Sequence, residues 1–210
     1  MTQVTTTVSS FDNINDPVEY QYHRFPNPIA VALICHPHPL YDGTMNNKVV
    51  TTLAKSLGDN RINHLKFNFR GVGNSQGRHD HGIGETHDAI ALANWLQNNN
   101  PGLPLIICGF SFGGYIAIKA SLQLKTSLII AIAPAIERYT DCPNQVTAPL
   151  ILVQGLRDDI ISIQDVDAWF QQITQTKYKI EIDCGHFFHG KVIELREKLS
   201  NLIGKSAAIG

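Results

Sequence analysis

Gly109-Phe110-Ser111-Phe112-Gly113 ends the apolar run PLIICG (residues 104–109) and opens a helical stretch. In strand–turn–helix context this spacing has a mechanical meaning. A sharp turn holds the serine in a strained backbone conformation, and the flanking glycines let strand and helix approach closely. The helix N-terminus beneath favours negative charge developing beside the hydroxyl. Ser111 is therefore a candidate nucleophile; the bland alternative is a serine that merely caps a helix in a Gly-rich turn.

A serine hydroxyl needs a neighbouring base to take its proton. Among nine histidines, His186 in GHFFHG follows the run YKIEIDC by a short turn, and His189 stands three residues on. A carboxylate must hold the imidazole tautomer. LILVQGLRDDIIS offers two, Asp158 and Asp159, just past Gly155. An oxyanion formed at the serine needs preorganised donors. One is the backbone N–H of Phe112, the residue after the nucleophile. The other belongs to the loop His36-Pro37-His38-Pro39-Leu40. Proline has no N–H, so after His36 only His38 and then Leu40 can donate from that loop.

Such residues work only if a scaffold brings them to one place. Residues 29–35 (IAVALIC) form a continuous β-branched run, as a strand covered on both faces should. Residues 62–69, 104–109, 127–133, 149–154 and 177–183 read as further strands. Helical stretches are expected over 46–57, 85–97, 115–122, 165–174 and 191–202, with edge strands over 4–9 and 18–25. Strands alternating with helices predict one doubly wound α/β domain spanning residues 1–210, with a mostly parallel sheet. Sites in such sheets gather beyond the carboxyl ends of the strands. The serine, the aspartates and the histidines all fall there.

The composition agrees. The 210 residues are 43% apolar and 17% charged, enough for a sizeable core. Seventeen basic against eighteen acidic residues give a net charge of −1 with no basic block, which excludes a nucleic-acid partner. No apolar stretch approaches the ~20 residues that cross a bilayer, and residues 1–13 lack a secretory pattern. The four cysteines are isolated, so a reduced, cytoplasmic protein is expected. His36 and His38, or His79-Asp80-His81, suggest metal ligands, but no further ligands join them at sensible spacing and no metal is expected. Gly71-Val72-Gly73 opens a dinucleotide-like run that fails at Gln76. It reads as a structural loop in which Arg70 pairs with Glu85 or Asp88.

CHPHPLYDGTMNNKVV, FNFRGVGNSQG, GFSFGGY and GHFFHGK, spread from Cys35 to Lys191, together resemble the α/β-hydrolase superfamily. More narrowly, they are similar to a small lidless branch of serine hydrolases related to dienelactone-hydrolase-like proteins. The resemblance implies Ser111 as nucleophile, His186 as base, Asp158 as acid and His38 as second oxyanion donor, and the chain order Ser, Asp, His is the superfamily's. It departs at Asp42, where the branch has a glycine, which touches substrate fit more than catalysis. Dienelactone hydrolases themselves use a cysteine, so Ser111 argues against that specific activity. About fifteen residues between 133 and 149 leave no room for a lid. Tyr41, Phe110, Phe112 and Leu156 are candidates to line a shallow pocket, although as apolar residues they suit the core equally. The expected function is cofactor-free hydrolysis of a small acyl ester or thioester, with amide cleavage or an idle ligand-binding fold as alternatives.

Overall fold

The computed structural model describes residues 6–12 and 14–207. Residues 4 and 5 of the expected first edge strand lie outside the described residues. Eight strands form one sheet in the order β1-β2-β4-β3-β5-β6-β7-β8. The strands are β1 (Thr6–Phe11), β2 (Ile14–His23), β3 (Ala30–Cys35), β4 (Ile62–Phe67), β5 (Leu105–Phe110), β6 (Thr126–Ile132), β7 (Leu150–Gly155) and β8 (Lys177–Ile182). β1, β2 and β4 pair antiparallel. From β4 through β8 every pairing is parallel. This is the α/β-hydrolase fold.

Side chains alternate across the sheet and build two cores. Ala32, Ile34, Cys108 and Ile130 face α1 (Lys48–Asp59) and α5 (Val192–Ala207), which contribute Val49, Leu53, Leu195, Leu199 and Ile203. Val31, Leu33, Ile107, Ile129, Leu150 and Leu152 face α2 (Ile83–Asn98), α3 (Phe112–Ser121) and α4 (Ile163–Gln172). Each fully buried Leu, Ile or Val contributes about 1.5–3 kcal/mol, so the two layers hold the central strands rigidly. No helix among the described residues is long and apolar enough to cross a membrane.

Most bounds shift by one or two residues from the sequence reading, and β2 begins at Ile14, four residues earlier than expected; three further shifts have a local cause. α3 begins at Phe112 rather than Tyr115, because the carbonyl of Ser111 already accepts from the N–H groups of Gly114 and Tyr115. β4 stops at Phe67, two residues early, because Asn68 and Phe69 turn their N–H groups to the Glu19 carbonyl and the His36 ring. The last helix continues to Ala207, with Ile203 still buried beneath it.

Candidate active site

Ser111 sits between β5 and α3 with φ 55° and ψ −117°, a strained conformation for a residue with a side chain. The glycines at 109 and 113 make the turn possible. A Cβ on Gly109 would run into the backbone of Gly113, and one on Gly113 into the carbonyls of Cys35 and His36. The Ser111 N–H donates to the Ile132 carbonyl at 2.9 Å, and its own carbonyl accepts from Ala135 N–H at 3.1 Å, so β6 clamps the turn from its other side.

Beyond the rim, the loops after β7 and β8 are tied together. Leu156 N–H donates to the Ile182 carbonyl and Arg157 N–H to that of Cys184, both at 2.9 Å. Gly155 permits this approach, since a Cβ there would lie 2.7 Å from the Cys184 carbonyl. The result brings His186 against both Ser111 and Asp158. Nε2 of His186 lies 3.1 Å from Ser111 Oγ, and Nδ1 lies 2.8 Å from Asp158 Oδ2. A carboxylate only accepts, so Nδ1 carries the ring proton and Nε2 is free to accept from the serine O–H. Such a chain can move a proton off Ser111 and hold the charge that results.

Asp158 is held as an anion. Burial pushes its carboxyl up, but the His186 hydrogen bond and the N–H groups of Ile161 and Ile160 prevail and hold it below the usual range. Those two N–H groups reach Oδ1 at 2.9 and 3.0 Å. Asp159 and His189, the neighbours that the residues alone left open, are both exposed and take no part in these contacts.

The loop after β3 is anchored by His36, which is fully buried. Its Nδ1–H donates to the Pro37 carbonyl and its Nε2 accepts from Phe69 N–H at 2.9 Å. Burial pushes this imidazole down to about 3, so it stays neutral and both bonds persist. The next turn closes on the His38 carbonyl, which accepts from Tyr41 and Gly43 N–H, both at 3.1 Å. Asp42 adopts the left-handed conformation with φ 57°, which Asp tolerates better than most side chains. Burial and the neighbouring His79 hold the His38 ring below its usual value.

Ser111 and His186 open into a pocket of about 400 Å³. Tyr41, His38 and Phe112 form one wall; Ala135, Arg138 and Tyr139, after β6, form another; Ile160, Ile161 and Phe187 close the rest. Two residues suggested for this lining are elsewhere. Phe110 is fully buried, its ring 4.9 Å from that of His186 on the side of the sheet core, because it closes a strand covered on both faces. Leu156 is exposed outside the pocket, turned away by the tie between the β7 and β8 loops. Tyr139, after β6, and Ile160 and Ile161, after β7, come from two loops that no local pattern joins. Arg70 belongs to the frame: its guanidinium forks onto Asp88 at 2.7 and 2.8 Å.

Residues 43–143 match the family described as serine aminopeptidase, S33. A serine hydrolase homologue from Coxiella burnetii is 38% identical, with a TM-score of 0.86 over 94% of this chain and 96% of that one. A serine hydrolase without lid from Xanthomonas campestris is 34% identical, with a TM-score of 0.82 over 93% and 92%. An uncharacterised Rickettsia prowazekii protein is 37% identical over 92% of this chain and 87% of its own length. Motif, strand order and relatives agree, and the chain belongs to the α/β-hydrolase superfamily, among its lidless serine hydrolases.

Proposed function

We propose that this hydrolase cleaves small or short-chain carboxylic esters, thioesters included, through an acyl-enzyme on Ser111 and without a cofactor. The observation that carries the reading is the unbroken chain from Ser111 Oγ through both nitrogens of His186 to Asp158, at 3.1 and 2.8 Å. Ser111 attacks the carbonyl carbon as its proton passes to Nε2. The tetrahedral oxyanion is met by the backbone N–H of Phe112, the first residue of α3, and by that of His38. His186 then gives the proton to the leaving alcohol or thiol. In the second half, Nε2 takes a proton from water, which attacks the acyl-enzyme, and returns it to Ser111 Oγ as the acyl–oxygen bond breaks and the acid leaves. The pocket volume, near the lower end of the ~300–1,000 Å³ typical of ligand sites, supports a small acyl group.

The matched family's description raises amide cleavage as the second reading. An aminopeptidase must balance its substrate's ammonium with an anion, whereas Arg138 is the formally charged side chain on this wall. That favours esters. The test is turnover of p-nitrophenyl acetate, butyrate and palmitate, together with labelling by a fluorophosphonate. We expect the short esters to lead, and Ser111→Ala to abolish turnover and labelling while the protein stays folded. Preference for palmitate sinks the size assignment, and faster release from aminoacyl-nitroanilides reverses the ranking of bonds. An unlabelled folded wild type means an idle binding fold.

A further inference from the structure

Gln154 is a polar side chain at a core position. On β7 it continues the row of Leu150 and Leu152, which face the sheet core, and it is fully buried. Half of its amide is satisfied: Nε2 donates to Asp158 Oδ2 at 3.1 Å. The other half is not, since Oε1 is buried with no hydrogen-bond partner. The reverse amide orientation would press Oε1 against a carboxylate oxygen, so the observed one is the only tolerable placement. A buried orphan carbonyl is a standing penalty that a leucine or methionine would not carry. Its compensation is the contact on Oδ2, the same oxygen that accepts from His186 Nδ1. With Ile160 and Ile161 N–H on Oδ1, the amide completes a set of four donors that leaves the carboxylate no freedom to rotate.

From this geometry we infer that Gln154 is a positioning residue for the hydrolysis: it locks the Asp158 carboxylate, and through it the His186 ring, in the orientation that reaches Ser111. The inference rests on the relay proposed above. Gln154→Met removes both the donor and the orphan oxygen at similar volume. It is expected to leave the thermal midpoint unchanged or higher, while kcat for p-nitrophenyl acetate and the rate of fluorophosphonate labelling fall about tenfold to a hundredfold with KM nearly unchanged, as for loss of a hydrogen bond to a charged group. Gln154→Glu adds a second readout. Beside Asp158 the introduced carboxyl titrates high, so it donates while protonated and repels once ionised. Its activity should gain a descending limb as pH rises, absent from the wild type. If Gln154→Met does not fold, the Gln154→Glu pH profile alone decides. Wild-type kcat and labelling in Gln154→Met, or no new limb in Gln154→Glu, overturns the role of Gln154 and leaves the relay standing. A wild type that is not labelled at Ser111 overturns both.

Discussion

Acidification should unfold this protein through its buried histidines before its carboxylates titrate. His36 and His64 are 0% and 2% exposed, and burial pushes them down from 6.5 to about 3 and about 4. Each is committed as a neutral ring. His36 accepts from Phe69 N–H, and His64 donates Nδ1–H to the Ile62 carbonyl at 3.0 Å while stacking on His23. Because the folded values lie below the unfolded one, the unfolded chain binds the extra protons. The stability they provide is complete above about pH 6.5 and is lost as pH falls toward 4 and 3. Each group gives up about 1.4 kcal/mol per pH unit once well below 6.5. Between pH 7 and pH 5 the two together remove about 4 kcal/mol, a large share of the ~5–15 kcal/mol that holds a typical domain.

Urea unfolding at pH 7, 6 and 5 reads this directly. With a slope of about 2 kcal/mol/M, the midpoint should fall by about 2 M across the range. His64→Gln, which keeps a donor for the Ile62 carbonyl, should remove about half of the pH dependence. The lowered carboxyls of Glu19, Asp59 and Asp158 act in the same direction but only at lower pH. The raised carboxyl of Asp88 acts oppositely, since its folded state holds the proton longer. A stability change below about 1 kcal/mol between pH 7 and pH 5, or an unchanged pH dependence in His64→Gln, refutes the reasoning.

Two more predictions follow from the elbow and the relay. In Asp158→Asn the Ile160 and Ile161 N–H groups keep an oxygen at Oδ1, so the new NH₂ faces His186 Nδ1 and forces its proton onto Nε2. That is the wrong tautomer, and kcat should fall by about four orders of magnitude with the fold intact; a loss below tenfold would contradict the assignment. Gly113→Ala drives a methyl into the Cys35 and His36 carbonyls and should cost about 3–5 kcal/mol in urea unfolding, so wild-type stability would show that the turn can relax.

Much of this was legible in the chain. β3, β5 and β7 announce themselves as apolar runs because both sheet faces are covered, and runs of that kind end where chemistry sits. The choice between Asp158 and Asp159 was not legible from the residues alone. It depends on which carboxylate meets the Ile160 and Ile161 N–H groups, a matter of turn geometry. The start of α3 was hidden for a related reason. Gly113 and Gly114 are poor helix formers, and the helix forms there because the sheet needs a close crossing at Cys35 and Pro134. Gln154 read as one more strand residue, since nothing local announces that its amide spans to a loop four residues on.

The irregular backbone is not scattered. Of the seven non-glycine residues with positive φ among the described residues, five lie in the loops that leave the rim where the site stands: Asp42 after β3, His81 after β4, Ser111 after β5, Ala133 after β6 and Phe188 after β8. Each costs on the order of 1 kcal/mol or more, so the rim carries several kcal/mol that a regular edge would not. The buried strands β3, β5 and β7, with the buried stretch of β6 from Leu128 to Ile132, offset that cost. Strain concentrated on one edge and cohesion in the middle is the arrangement expected of a site that, in the function proposed above, must present a hydroxyl and an imidazole at fixed positions.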